Sequence, residues 1–375
     1  MTIPFNRPVF VEESLRLIRG LVKSDKQINI AGDGYYCGQC ENILNEIYKT
    51  SVLLTSSCTH ALEMAAILCD IKPGDEVISP SYTFVSTVLP FESRGADIKF
   101  VDVDSQTGNL DLNSLKKIIS KKTKLVITVH YGGNSTDMDE LVKICKKNEV
   151  ILIEDAAQAI GSKYKGKVLG TFGDLATLSF HETKNVTSGE GGALIINNKK
   201  FLDRAKIIRE KGTNRAQFKE GLVDKYSWVD TGSSYILSDL NAAYLYPQLK
   251  IVDKINKKRI RIVKLYKKFI KIKNPVYFLQ TPKYNTFNGH LCALVCLDNK
   301  QRQDFISYMK NNGIITPFHY VSLHTSPYMV ERNKYNLFGT DKLSECLVRL
   351  PLFYKLTQKD VYKIIDCVNN YFNEE

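Results

Sequence analysis

The sequence has no stretch of eighteen apolar residues, so none of it reads as a membrane-spanning helix. Its opening, MTIPFNRPVFVEESLRL, lacks a basic segment followed by an apolar one; no secretory leader is expected, and a cytoplasmic setting is. Cys37 and Cys40 form a C-x-x-C with no second pair nearby, and nine cysteines are an odd number without a framework. That argues against a disulfide scaffold and favours reduced thiols over a zinc or redox site. No spacing among the six histidines suits a metal, and no repeat or low-complexity segment stands out. Acidic residues are scarce: 40 against 52 Lys and Arg, a net +12 over 375 residues. Such an excess suits either nucleic acid or a Lys-rich surface serving an anionic small substrate. The densest basic run, KINKKRIRIVKLYKKFIKIK from Lys254 to Lys273, carries Ile255, Ile262, Leu265, Tyr266, Phe269 and Ile270 at roughly helical spacing. It reads as an amphipathic helix with a solvated basic face. No nucleic-acid motif lies beside it and the remaining charge is dispersed, so the small substrate is the better reading.

What is present is an ordinary soluble composition, 43% hydrophobic and 25% charged. Between about residues 50 and 200, apolar runs (52–55, 76–79, 98–103, 125–130, 150–154) alternate with helical patterns (59–69, 112–119, 138–147). That alternation predicts an α/β fold with a mostly parallel sheet covered on both faces. The runs 175–180 and 192–197 add two strands around a loop. Beyond about residue 245 the pattern changes to the basic helix, strands in PVYFLQTP, LCALVCLD and GIITPFHY, and helices at 301–311 and 358–372. The expected layout is a large domain over residues 1–245 and a small α+β domain over 246–375, with the N-terminal segment packing on the small domain.

In open α/β sheets, ligands bind at the carboxyl ends of the strands. After 52–55 comes SSCTHAL, where Ser56, Ser57 and Thr59 either cap the next helix or seat a phosphate at its N-terminus. After 76–79 comes PSYTFVST, where Phe84 is either core or a face for a planar ligand. After 150–154 comes Asp155, which either caps a helix or is a buried carboxylate in need of a cation; Gln158 lies one turn on. After 175–180 comes Lys184, where an amine of lowered pKa can condense with a carbonyl. One ligand meets all four positions. Pyridoxal 5′-phosphate brings a phosphate, a planar ring, a basic ring nitrogen and an aldehyde.

SFHETKN followed by GEGGALIINN, EDAAQAIGSKYKGKVLGTFGD about thirty residues earlier, PGDEVISPSYTFVST, FVDVD, IPFNRP, HYVSLH and RLPLFY resemble the DegT/DnrJ group of sugar-nucleotide aminotransferases over essentially the whole chain. The resemblance implies the fold type I architecture of pyridoxal-phosphate enzymes, with a seven-stranded large-domain sheet. By position it implies Lys184 as the Schiff-base lysine, Asp155 as the ring-nitrogen partner and Gln158 beside the 3-hydroxyl. Ser179 with the Cys58–Thr59–His60 turn matches the phosphate site, and Phe84 the stacked aromatic. His181, His319, His324 and Arg215 match or adjoin substrate-side positions, and each also reads as an ordinary structural or surface residue. REKGTNRAQF and VDKYSWVDTGSSYILSDLNAAYL point to the subgroup that aminates C4 of dTDP-4-keto-6-deoxy-D-glucose with L-glutamate, giving the galacto amine for a polysaccharide antigen. The gluco epimer and a 3-amino sugar are the alternatives, as is a basic regulator from a different class. Relatives that are dehydratases carry histidine in place of the lysine. A homodimer with active sites at the subunit interface is implied too. Ser234 and Ile236 stand where many relatives carry Asn and Arg, so the partner-chain phosphate contact made by that Asn has no equivalent side chain.

Overall fold

The computed structural model describes residues 2–23, 30–332 and 334–374. In chain order its strands are β1 (Ser51–Thr55), β2 (Glu76–Pro80), β3 (Asp97–Val101), β4 (Thr123–Val129), β5 (Ile151–Asp155), β6 (Lys163–Tyr164), β7 (Lys167–Val168), β8 (Leu175–Ser179), β9 (Gly192–Ile196), β10 (Tyr277–Phe278), β11 (Asn285–Thr286), β12 (Ala293–Val295) and β13 (Leu347–Arg349). Seven of them form one sheet in the order β1-β9-β8-β5-β4-β2-β3. Only β9 runs against the others. The chain therefore builds the large, mostly parallel, seven-stranded sheet that the resemblance implies.

Strand alternation sorts the apolar residues onto two cores. Leu54, Ile78, Val126, Leu152 and Leu178 face one, with the helices Tyr35–Tyr48, Met138–Lys147 and Asp239–Lys250. Leu53, Val77, Leu125, Ile153 and Leu175 face the other, with the helices Cys58–Leu68 and Leu202–Arg209. Both faces are covered, which is why these strands read as continuous apolar runs. Cys37 and Cys40 belong to the first core, and their thiols lie against the Leu237 and Ala242 carbonyls.

The basic run forms the helix Val252–Phe269, with Ile255, Ile262, Val263 and Tyr266 buried. It packs over a second sheet, β10-β12-β13, around Phe305, Met309, Leu350 and Ile364. Ile3 belongs to this core and bridges Ile314, so the N-terminal segment lies on the smaller unit. The strand expected at GIITPFHY does not form; only single bridges at Ile314 and Phe318 do. Pro317, which has no N–H to give a ladder, offers only its carbonyl to the Arg349 amide. The third strand of this sheet comes instead from residues 347–349. No described helix is long and apolar enough to cross a membrane.

Candidate active site

The carboxyl ends of β1, β5 and β8 share one edge of the large sheet. The register sets Thr55 and Ser179 on either side of Gly192, and Asp155 beside Thr177. A cavity of about 510 Å³ opens there, between that edge and the smaller unit. Of the residues singled out in the sequence, Ser57, Cys58, Thr59, Phe84, Asp155, Gln158, Ser179, His181, Lys184 and His319 line it.

The loop bearing Lys184 is clamped from several sides. The Ser188 amide and the Thr187 hydroxyl both donate to the Phe180 carbonyl, while Gln248 accepts from the Thr187 amide and donates to its carbonyl. Asn185 donates to Asn256 Oδ1 and the Asn288 carbonyl. Lys184 sits between these anchors, partly buried, and its amine has no hydrogen-bond or ion-pair partner among the described residues. Burial pushes that amine below its ordinary value against the pull of Cys58 and Asp155, and Arg349 adds to the fall.

Asp155 is 6% exposed. Oδ2 accepts from the Thr87 hydroxyl at 2.7 Å and Oδ1 from the Ala157 amide at 3.2 Å. Both donors are neutral, and no described cation pairs with this carboxylate. Such a group at a cavity wall is suited to a cationic ligand atom.

Ser57 caps the helix Cys58–Leu68 through the His60 amide at 3.0 Å. The Cys58 and Thr59 amides of the first turn have no intrahelical partner. Gly192 lies against this turn so closely that a Cβ there would run into the Ser57 carbonyl and the Cys58 amide, which accounts for glycine at that place in GEGG. Burial, with Asp155 adding, pushes the Cys58 thiol up to about 12, so it stays protonated. Phe84 is 56% exposed and turns its ring toward Tyr320, 6.2 Å away between centroids. Gln158 accepts from the Gly132 amide and donates to the Tyr320 hydroxyl. His181 meets Thr183 at 3.0 Å, and Glu190 at 3.7 Å. His319 shares a 2.6 Å hydrogen bond with the Tyr131 hydroxyl and stacks on Tyr320. Burial, then Arg349, His290 and Lys184, push His319 well below its ordinary value, so it is neutral at neutral pH.

His60, His324 and Arg215 do not line the cavity, nor does Ser56. The His60 ring bonds Ser56 at 2.6 Å and lies edge-on to Tyr235. His324 is held by Ser81 at 2.8 Å and faces Asp341 at 3.3 Å. Arg215 sits on the short helix Arg215–Lys219 opposite Glu210. Conversely, Arg259, His290, Tyr320 and Arg349 line the cavity and were not foreseen. Arg259 was one cation among many in the basic run, and only tertiary packing turns it inward, 2% exposed, onto the Gly289 and His290 carbonyls. Arg349 lies within RLPLFY, where no strand was expected.

These residues fit pyridoxal 5′-phosphate. An unpaired amine, a buried carboxylate lacking a cation, an open helix N-terminus and an uncovered aromatic face converge on one cavity.

Comparison with known proteins agrees. The profile of the DegT/DnrJ/EryC1/StrS aminotransferase family matches residues 19–369. The chain is 30% identical to a GDP-perosamine synthase of Escherichia coli O157:H7 and 31% identical to one of Vibrio cholerae; each match covers 92% of this chain and 93% of the other. Among solved structures, the aminotransferase TlmJ from Streptoalloteichus hindustanus superimposes with a TM-score of 0.91 at 25% identity, over the whole of both chains. Matched by the profile over nearly its full length, the chain belongs to the DegT/DnrJ/EryC1/StrS family and is a pyridoxal-phosphate-dependent sugar aminotransferase.

Proposed function

We propose that the enzyme transfers the amino group of L-glutamate to C4 of dTDP-4-keto-6-deoxy-D-glucose, giving dTDP-4-amino-4,6-dideoxy-D-galactose, a building block for a surface polysaccharide. The carrying observation is the placement of the unpartnered Lys184 amine and the buried Asp155 carboxylate on one cavity. In this reading Lys184 binds the cofactor, and the first turn of the helix Cys58–Leu68 holds the phosphate with Ser179. Phe84 faces the ring, and Gln158 lies beside the 3-hydroxyl. When bound, the cofactor supplies an electron sink that stabilises negative charge on the donor's α-carbon. Asp155 holds the proton on the ring nitrogen. Lys184 removes the proton from the donor's α-carbon and, in the second half, delivers one to C4 of the sugar. The lowered pKa favours both tasks, since the amine must give and take a proton near neutral pH. His181 and His319 stand on the sugar side.

A homodimer belongs to this reading. It is supported by apolar side chains left in water along one segment: Leu222, Tyr226, Trp228 and Val229 are all exposed, Trp228 to 82%. A GDP-linked sugar is the second reading, favoured by the names of the two GDP-perosamine synthases. Incubating the cofactor-loaded enzyme with L-glutamate and a panel of dTDP- and GDP-linked 3- and 4-keto sugars, with NMR of the product, decides nucleotide, position and stereochemistry. A galacto 4-amine from the dTDP substrate is expected; amination of the GDP sugars alone would replace the first reading by the second.

A further inference from the structure

His290 precedes β12 in the smaller unit and lines the cavity. A chain of buried amides decides which of its ring nitrogens carries the hydrogen. Asn256 donates from Nδ2 to the Ile160 carbonyl at 3.0 Å, which leaves its Oδ1 turned toward the Lys184 loop. There Asn185 donates from Nδ2 to Asn256 Oδ1 at 2.8 Å and to the Asn288 carbonyl at 3.0 Å. Both hydrogens of that amide are then used. Its Oδ1, which can only accept, faces His290 Nδ1 at 3.1 Å. Nδ1 therefore carries the hydrogen, and Nε2 is a bare lone pair. Burial, then the charges of Lys184, Arg259 and Arg349, push this histidine well below its ordinary value, so it is neutral at neutral pH. Among the described residues none hydrogen-bonds to Nε2. The backbone is held as firmly as the ring: the His290 amide donates to Asn288 Oδ1 at 3.0 Å, and its carbonyl accepts from Arg259 Nη2 at 2.7 Å. The result is a fixed, acceptor-only nitrogen on a wall that otherwise presents cations.

The cavity seats two substrates in turn at one reacting centre. A bare lone pair repels the donor's carboxylates and the phosphates of cofactor and nucleotide, because all of these are acceptors themselves. The donor's amino nitrogen is the atom transferred and is committed to the cofactor. Hydrogens on the nucleotide lie beyond the diphosphate, which joins the sugar at C1, across the pyranose ring from C4. The sugar hydroxyls remain. In a 4-keto-6-deoxy sugar the reacting C4 has two neighbours: C3 bears a hydroxyl, while C5 bears a methyl group. Lys184 works on C4 and lies close enough to His290 to act on its charge, so the hydroxyl on C3 is the one beside it. We propose that His290 Nε2 accepts a hydrogen bond from the C3 hydroxyl of the keto sugar, and so selects sugars that are hydroxylated next to the carbon to be aminated. The contact is idle while the amino-acid donor is bound. This rests on the reading of the enzyme as a C4 sugar aminotransferase.

A cycle of variant against substrate analogue tests this. Cofactor-loaded wild type and His290→Leu are aminated with L-glutamate, then mixed with dTDP-4-keto-6-deoxy-D-glucose or with its 3-deoxy analogue. The second-order rate constant of each amination is measured. Wild type should prefer the hydroxylated sugar by about 10- to 100-fold, the cost of leaving an acceptor in the closed site without its hydrogen. His290→Leu should bring that preference to within about threefold of unity, through a fall on the hydroxylated sugar alone, with the L-glutamate half-reaction also within about threefold of wild type. His290→Gln brings an amide oxygen close to the place of Nε2 and should restore part of the preference, which a merely structural histidine would not do. If the Leu variant lacks a wild-type circular dichroism spectrum, nitrogen NMR of the labelled histidine ring in the wild type carries the test. The Nε2 signal should move when the hydroxylated sugar is added to the unaminated enzyme, and stay with the 3-deoxy analogue. Should GDP-linked sugars alone react, the same comparison is made on them, since the contact does not involve the nucleotide. Wild type indifferent to the hydroxyl, or a Leu variant that keeps the preference, overturns the proposal and leaves the function standing. Equal losses in both half-reactions assign His290 to Lys184 and overturn it too. Wild type that aminates no 4-keto sugar overturns the proposed function, and this contact with it.

Discussion

Glu154 and Asp155 are neighbours on β5 with the same charge, and the two faces of that strand give them different work. Glu154 is fully buried. Its carboxylate accepts from the Gly170, Phe172 and Gly173 amides at 2.6–2.8 Å and meets His130 Nε2 at 2.8 Å. Asp155 has two neutral donors and a cavity. A carboxylate surrounded by donors is a structural tie, whereas one left short of a cation is suited to a ligand. Two lysines repeat the contrast. Lys165, at the β6–β7 turn, is exposed and bonds Asp139 at 2.7 Å, which, with Tyr164, pushes its pKa up. Lys184 is partly buried and unpartnered, and its pKa falls.

The sharpest way to break the comparison is Lys184→Ala. Turnover should drop by at least about 1,000-fold, since both proton transfers lose their carrier. The absorbance of bound cofactor should disappear with it, and NMR product analysis beside the visible spectrum checks both; normal turnover would remove Lys184 from the chemistry. Asp155→Asn should keep the fold and bind cofactor, yet lose about 100-fold in kcat because a neutral amide no longer stabilises the charged ring nitrogen. Steady-state kinetics at saturating donor test this, and wild-type kcat would put Asp155 on the structural side of the contrast.

Glu154→Gln should do the reverse: a loss of about 3 kcal/mol in stability, read from the denaturant midpoint, with little change in turnover per folded molecule. The pH dependence follows from the same carboxylate. Burial raises its pKa, but the His130 hydrogen bond and charge, with the backbone amides, outweigh burial and hold it below 4.5. Its stabilisation is therefore complete above the unfolded-state value near 4.5 and is lost as pH falls through the lower folded-state value. Acid titration of wild type against Glu154→Gln should show the difference shrinking below that pH. Last, Lys165→Ala should change neither the melting temperature nor kcat beyond scatter, because an exposed pair is screened by water.

Much of the site was legible because it is local. An apolar run followed by one polar residue marks a strand end whatever surrounds it, and the placements of Asp155 and Lys184 follow from that alternation alone. Ser57 as a helix cap was legible for the same reason. The strand expected at GIITPFHY was misplaced because Pro317 has no N–H to give a ladder; Ile314 is buried in the smaller unit's core, whereas Ile315 and Phe318 stay exposed. The six histidines could not be sorted by sequence: His319 reaches the cavity and His324 is tied to Ser81, although only four residues lie between them.

By itself the sequence determined the order of strands and helices, the apolar content of the sheet and the chemical types at the strand ends, since periods of two and 3.6 residues and end signals need no distant partner. Only the tertiary structure decided which cations face the cavity. Lys258 and Arg259 are adjacent in one basic run, yet Lys258 lies exposed over Tyr354 while Arg259 is buried against Gly289 and His290. The face a helix buries depends on what packs against it. For Arg259 and for Arg349, what packs there comes from segments far away in the chain, and no local pattern encodes that meeting.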